Sequence, residues 1–220
     1  TFNDAKEINS PMEIYIGDAY LNSITVSPDE KYISFILSDY PDTEPTHVEK
    51  HVTKSGWTKS ISARSKIGKK EATHKMGVFN IETNEVVYCA IDNLEGVLDK
   101  PEYLQLYDKE DIKYEFPKNV VFHGPYFSEK GEAIIEVKSY DNKDRWIALL
   151  DLKTGSLKQI EHQHDEAWIG GPGISSWKGV PGNIGWLKDN KTVFFQSEET
   201  GYSHLYLYDT EKNKKKQLTE

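Results

Sequence analysis

The chain has 220 residues and a formal net charge of −9 at pH 7, which argues against nucleic acid as its main partner because phosphate binding needs a positive surface. Its 37% hydrophobic and 29% charged residues are typical of a folded globular protein rather than a disordered one. Because Cys89 is the single cysteine, the chain has no internal disulfide and no thiolate metal cluster. The sequence contains no run of about 20 apolar residues, so no membrane-spanning helix is predicted. The sequence starts at Thr1 without an initiator methionine or a secretion signal, so we expect a processed protein or a piece of a longer one.

Strand patterns begin in residues 20–91. Apolar and polar residues alternate in four short segments with turn-forming clusters between them, at 22–26, 32–37, 76–81 and 86–91. The first turn, Ser27-Pro28-Asp29, contains residues that favour a type I turn. Between the second and third segments, residues 38–75 have weak periodicity and many lysines. We therefore predict a unit of four antiparallel strands with a long insertion.

The same pattern recurs twice. Residues 118–163 hold a second unit with predicted strands at 120–122, 133–137, 146–152 and 157–160. A Gly/Pro-rich link, 164–182, leads to a third unit at 183–220, in which Leu205 and Leu207 alternate with Tyr206 and Tyr208. Polar turns occupy corresponding places in all three units.

Repeated four-stranded antiparallel units predict an all-β fold, a partial β-propeller of about three blades formed by residues 1–220. One such sheet cannot bury both of its faces, so neighbouring blades must supply the core. Propellers usually close with four to eight blades, so three blades do not complete a ring. A β-sandwich built from the same strands is the alternative, which the regular four-strand unit disfavours.

A late motif, Ser197-Glu198-x-x-Gly201-Tyr202-x-His204-Leu205-Tyr206, follows an upstream Trp168-Ile169-Gly170 element. Together with the Ser27-Pro28-Asp29 turn, these residues resemble the N-terminal propeller domain of the dipeptidyl peptidase IV branch of the prolyl oligopeptidase-type serine peptidases. The similarity extends over most of residues 20–220.

The resemblance implies the non-catalytic part of a serine peptidase that is periplasmic or secreted. Catalysis in that family belongs to an α/β-hydrolase domain with a Gly-x-Ser-x-Gly nucleophile elbow, a pentapeptide that this sequence lacks. The expected partners are that hydrolase domain, a peptide substrate and, in a homo-oligomer, further copies of the chain; no cofactor is expected. The expected role is to gate and shape the substrate chamber, and the alternative is a non-enzymatic propeller that binds other proteins.

Six residues are candidates for substrate binding: Asp165, Trp168, Trp177, Glu198, Glu199 and Tyr202. An acidic pair beside an aromatic side chain suits the free amine of a peptide. Glu198 and His204 have a structural alternative, in which their side chains satisfy buried backbone groups between blades. The paired glutamates that hold the substrate amine in dipeptidyl peptidases are not matched convincingly, because Glu198-Glu199 lies in the late motif instead.

Three further candidates have structural explanations. His123-Gly124-Pro125 is similar to an oxyanion-hole loop, but we expect it in the first strand of a blade. His162, His164 and Asp165 carry groups that bind zinc, yet their spacing matches no standard site, so we expect a solvated loop and no metal site. Cys89 lies among apolar residues of a predicted strand, and we expect it to be inert.

The lengths of the connections predict which end of the propeller carries function. In a meander, the links between strands two and three and between blades lie at one end, and these include all the long segments. Long loops on a rigid scaffold are where binding concentrates. We therefore expect Asp165, Trp168, Trp177, Glu199 and Tyr202 at one end, opposite Pro28, Lys130 and Asp189.

Overall fold

The computed structural model describes residues 15–42, 44–63, 70–100, 117–175 and 177–220. It contains fourteen strands in these ranges: β1 (Tyr20–Val26), β2 (Tyr32–Asp39), β3 (His47–Lys50), β4 (Lys59–Ser62), β5 (Thr73–Asn80), β6 (Glu85–Tyr88), β7 (Val120–Phe127), β8 (Ala133–Ser139), β9 (Asp144–Leu150), β10 (Leu157–His164), β11 (Ile184–Trp186), β12 (Thr192–Ser197), β13 (His204–Asp209) and β14 (Lys214–Gln217). Among the described residues, no helical segment has the length and hydrophobicity that a bilayer crossing requires.

Three antiparallel sheets of four strands confirm the predicted blades. Blade 1 has the order β1-β2-β5-β6, blade 2 has β10-β9-β8-β7 and blade 3 has β11-β12-β13-β14. Each blade is a meander, because strands that follow one another within it pair directly. The chain is therefore a partial β-propeller, as its alternation predicts.

Blade 2 lies between the other two, and its strands bury both faces. On one side Ile135 and Trp146 pack in a core with Ile36 and Met76 of blade 1. On the other side Ile134 and Ile147 pack with residues of blade 3, namely Val193, Phe195, Tyr206 and Tyr208. Neighbouring residues of one strand thus enter different cores, since successive side chains point to opposite faces.

The structure differs from the sequence prediction in several strands. Residues 47–50 and 59–62 pair as a hairpin inside the insertion, where no regular structure was predicted. β10 continues to His164 instead of ending at 160, and Glu161 and Gln163 in its polar second half are buried. β6 ends at Tyr88, so Cys89 lies one residue beyond the strand, where the Ala90 N–H donates to the Gly155 carbonyl of blade 2 at 3.0 Å. The polar residues of β10 break the alternation because they meet polar or charged partners: Glu161 pairs with Lys215, and Gln163 bonds the backbone of β12.

Candidate functional site

The β10–β11 link and the β12–β13 turn lie at one end of blades 2 and 3. Antiparallel pairing within blades 2 and 3 places the β10–β11 link and the β12–β13 turn at the same end, and Glu198 Oε2 accepts a hydrogen bond from Gly170 N at 3.3 Å across them. At the opposite end, the short turns after β7 and β11 are joined by Glu129 N and Asn190 Oδ1 at 2.7 Å. This is the arrangement predicted for the 164–182 link and the Glu198-Glu199 turn, whereas most of the predicted long segment 92–117 lies outside the described residues.

Three of the six candidate residues make structural contacts at this end. Asp165 Oδ1 accepts hydrogen bonds from the backbone N–H groups of Trp168 at 2.9 Å and Ala167 at 2.7 Å, and these bonds lower the pKa of its carboxyl group. The Glu198 carboxylate lies so close to Gly171 that an added Cβ there would be 1.8 Å from its Oε1. Glu199 forms an ion pair with Lys215. Glu198 therefore holds the link backbone, as its structural alternative requires.

The remaining three candidates are aromatic and exposed. Trp168, Trp177 and Tyr202 have exposed fractions of 54%, 77% and 78%. Their rings are available to a ligand or a neighbouring domain. Their role in substrate binding stays a prediction.

Buried charges of blade 2 fix the link that carries Trp177. Arg145 Nε donates to Glu136 Oε1 at 2.5 Å, and Glu136 Oε2 accepts from the N–H of Gly182 at 2.9 Å. Lys138 Nζ donates to the carbonyls of Ser175 at 2.9 Å and Val180 at 3.0 Å. The link is therefore held to the sheet at three points, by charge-assisted bonds of the stronger kind.

The pairing of these buried groups sets their protonation. Burial raises the pKa of Glu136, but the charges of Arg145 and Lys138 and the Gly182 N–H outweigh it, so the net pKa is lowered. Glu136 is thus a carboxylate at neutral pH. The charged residues at 136 and 138, in a strand that is otherwise mostly apolar, are a sequence signal of this cluster, which is not among the sequence predictions.

A second polar cluster lies where β9 begins and β10 ends. Asp144 Oδ1 lies 3.0 Å from His162 Nε2 and 2.7 Å from His164 Nδ1, and Asp144 Oδ2 accepts a hydrogen bond from Lys118 Nζ at 2.7 Å. One imidazole nitrogen of each histidine and one Asp144 oxygen lie within 4.8 Å of one another. The expectation of a solvated loop at 162–164 is wrong, because both histidines belong to β10 and face the same side of it.

Asp144 joins this cluster through strand register. It pairs with His164, and His162 is two residues away on the same face. Burial raises the pKa of the Asp144 carboxyl, but hydrogen bonds from His162, Lys118 and His164 lower it overall. Burial lowers the pKa of His164, while Asp144 and Glu166 raise it to a net increase. In the sequence these histidines adjoin Asp165, but its carboxylate accepts hydrogen bonds from the backbone of its own turn instead.

A cavity of about 550 Å³ opens beside this cluster. Its lining combines carboxylates and ammonium groups from blade 2 and from both flanking links: Glu95, Asp99, Lys100, Lys118, Asp141, Lys143 and Glu166. A second cavity, of about 510 Å³, lies along β1 and β7 and contains His74, His123, Tyr140 and Lys178. His123 lies within β7, as expected, with its Nε2 2.8 Å from the carbonyl of Lys178.

The sequence matches the family described as the dipeptidyl peptidase IV N-terminal region over residues 20–220, which is nearly the whole chain. The chain belongs to this family. A search of curated proteins returned no match. Membership agrees with the late-blade motif and with the blades that the structure contains.

Three solved structures are similar to this chain, and the first of them supports the fold. A putative dipeptidyl aminopeptidase IV from Bacteroides ovatus matches with a TM-score of 0.54 and 15% identity, over 90% of this chain and 26% of that one. The dipeptidyl peptidase 4 of Porphyromonas gingivalis gives 0.41 and 14%, over 90% and 30%. The β-propeller domain of the trilobed protease from Pyrococcus furiosus gives 0.44 and 12%, over 92% and 44%. The chain thus spans about a quarter to less than half of these proteins.

Cys89 of this propeller region has no sign of reactivity. Its side chain packs against the core between blades 1 and 2, and burial raises the pKa of the thiol to about 12. A thiol with that pKa stays protonated near neutral pH and is a poor nucleophile.

Proposed function

We propose that this chain is part of the non-catalytic wall of a dipeptidyl peptidase IV-type serine peptidase, where it shapes and gates the chamber through which peptides reach an α/β-hydrolase domain. The observation that carries the proposal is the end of blades 2 and 3, where exposed aromatic rings stand on a link held by buried charges. A rigid scaffold with exposed aromatic groups positions peptide chains without taking part in bond cleavage.

Two properties of the chain fit the non-catalytic wall of a substrate chamber better than a catalytic domain. The sequence has no Gly-x-Ser-x-Gly elbow. Four histidines of the two cavities have described polar partners. His123, His162 and His164 contact a carbonyl or carboxylates. His74 Nδ1 lies 2.5 Å from the hydroxyl of Ser38, but Ser38 is buried in blade 1 and its hydroxyl is therefore not open to a peptide. Acyl transfer by a Ser-His-Asp triad would then take place in the hydrolase domain.

The first test separates this proposal from a propeller that only binds other proteins. The parent gene is read beyond residue 220 and the parent protein is purified. The proposal of a non-catalytic wall is supported if a serine-directed covalent probe labels a hydrolase domain and labels no serine in residues 1–220. A labelled serine within residues 1–220, or a parent without a hydrolase domain, overturns it.

The second test addresses gating in that parent. Trp168→Ala, Trp177→Ala and Tyr202→Ala are assayed with a chromogenic dipeptide substrate and with peptides of increasing length. We expect kcat/KM to change by about three- to tenfold for long peptides and little for the dipeptide, since a lost aromatic contact is worth about 1 kcal/mol. Tyr88→Ala, a half-exposed ring on β6, is the control. Equal effects of all four variants on all substrates would count against gating.

Compartment follows from the same proposal. A peptidase of this type would be periplasmic or secreted, and fractionation of the source cells with an antibody to the chain tests it. Recovery with the cytoplasmic fraction would contradict this part.

A further inference from the structure

We propose that Asp144, His162 and His164 form a binding site for one Zn²⁺ ion at the end of blade 2. This proposal is independent of the peptidase function. Imidazole nitrogen and carboxylate oxygen are common zinc ligands, and three protein ligands leave a fourth position open for water or another group.

The distances suit a zinc ion with little rearrangement. Tetrahedral zinc with bonds of about 2.0–2.1 Å holds its ligand atoms about 3.3 Å apart. The Asp144 oxygen is 3.0 Å and 2.7 Å from the two histidine nitrogens, so these pairs of atoms need to move apart by about 0.3 Å and 0.6 Å. All three distances between the candidate ligand atoms of Asp144, His162 and His164 are within 4.8 Å, so the three atoms surround a single point.

The side chains are held in place before any ion arrives. The His162 ring stacks on the buried Trp146 ring with centroids 5.3 Å apart and planes 4° apart. Asp144 is buried, and Lys118 Nζ holds its other oxygen, which leaves Oδ1 facing the histidines. Preorganisation of this kind removes the entropy cost of ordering ligands at binding.

A glutamate lies beside the second ring nitrogen of each histidine, within hydrogen-bond range of His164 and slightly farther from His162. Such histidines usually donate their second ring nitrogen to a carboxylate or carbonyl. His164 Nε2 lies 3.1 Å from Glu166 Oε1, and His162 Nδ1 lies 3.7 Å from Glu95 Oε2. These two glutamates come from different links, before and after blade 2, so an ion bound here would connect both links to the sheet.

The charge balance permits a dication. The cavity beside the cluster contains the carboxylates of Glu95, Asp99, Asp141 and Glu166 in addition to Asp144, against the ammonium groups of Lys100, Lys118 and Lys143. Five negative and three positive groups leave a net charge of −2 before the histidines are counted. The Lys118 ammonium lowers the affinity through repulsion, so we expect a site that exchanges its ion rather than one on which folding depends.

The experiment titrates Zn²⁺ into the untagged 220-residue chain by calorimetry. We expect one equivalent to bind. His164→Asn should weaken binding by at least about 100-fold, and Glu166→Gln by about 10–100-fold, the range typical of lost outer contacts. His47→Asn, an exposed histidine of β3, is the matched control and should bind as the unmodified chain does.

Co²⁺ provides a second measurement that does not depend on variants. Its visible absorption reports the coordination geometry, and we expect a tetrahedral or five-coordinate spectrum that Zn²⁺ abolishes at one equivalent. The proposal is overturned if the unmodified chain shows no saturable binding, or if His164→Asn binds as tightly as it does. A loss of affinity in His47→Asn equal to that in His164→Asn would also overturn it, because binding would then lie elsewhere.

Discussion

Blade 2 and blade 3 have the same strand order and turns in the same places, yet they bury their residues differently. Every residue of β8 is buried, whereas β13 alternates between buried and half-buried positions. Blade 2 has a neighbour on each side, and blade 3 has one described neighbour. Strands covered on both faces become continuously buried, and strands covered on one face keep a clear alternation.

The difference extends to the charged residues. In blade 2, Glu136 and Arg145 are buried and paired, and in blade 3 the pair of Lys191 and Glu211, 3.5 Å apart, is exposed. A buried charge needs an ion-pair partner because its desolvation is costly. An exposed charge is already solvated by water, so a partner adds little stability. Four experiments test this comparison, beginning with the largest expected effect.

Removing one partner of the buried Glu136–Arg145 pair should reduce the free energy of unfolding most. Arg145→Met leaves the Glu136 carboxylate buried without its main partner, and we expect the free energy of unfolding to fall by about 3–5 kcal/mol. The blade 3 counterpart, Lys191→Met, should cost less than about 1 kcal/mol. Urea unfolding measures both values. Similar losses in the two variants would show that burial does not separate the blades.

Truncating an apolar side chain should also reduce the free energy of unfolding more in blade 2 than in blade 3, with a smaller difference between the blades. Ile147→Ala removes a fully buried side chain between blades 2 and 3, and we expect a loss of about 2–5 kcal/mol. Leu207→Ala on the half-buried face of β13 should cost less than half of that, because water already reaches the side chain. If Leu207→Ala lowered the free energy of unfolding, measured with urea, as much as Ile147→Ala, the conclusion that the outer face of blade 3 is only half-buried would be wrong.

Low pH should destabilise blade 2 by protonating Glu136. Although burial raises its pKa, the nearby charges bring the net pKa below the ordinary value of 4.5. Its contribution to stability is therefore complete above about pH 4.5 and is lost as the pH falls through the lowered pKa. Glu136→Gln should be less stable at pH 7 and should lose less stability on acidification. Parallel pH profiles of the two proteins by urea unfolding would exclude this role.

The smallest expected effect is weak self-association through the outer face of blade 3. Phe194 and Leu207 pair on that face and are half-buried, which leaves apolar surface for a second copy. Light scattering should show a mass that rises with concentration, and Leu207→Lys should reduce the rise. A strictly monomeric chain at high concentration would contradict the prediction.

Much of this fold was predictable from local sequence. Alternation of apolar residues between turns such as Ser27-Pro28-Asp29 predicts antiparallel strands, because side chains on a strand alternate between faces. The repeat of four such strands predicts blades, and blades that need neighbours predict a propeller. Connection lengths predict that Trp168, Trp177 and Tyr202 lie at one end of the blades, since a meander sends its loops alternately to two ends; their role in substrate binding stays a prediction.

Tertiary structure decided the rest. Asp144 meets His162 and His164 through the register of β9 and β10, which a polar, non-alternating segment does not reveal. Glu136 and Arg145 become a buried pair because blade 3 covers that face of blade 2, and Glu198 binds the Gly170 backbone because a link returns across the blades. Local sequence determines which segments are strands, but the partner of each polar side chain depends on which blade covers it.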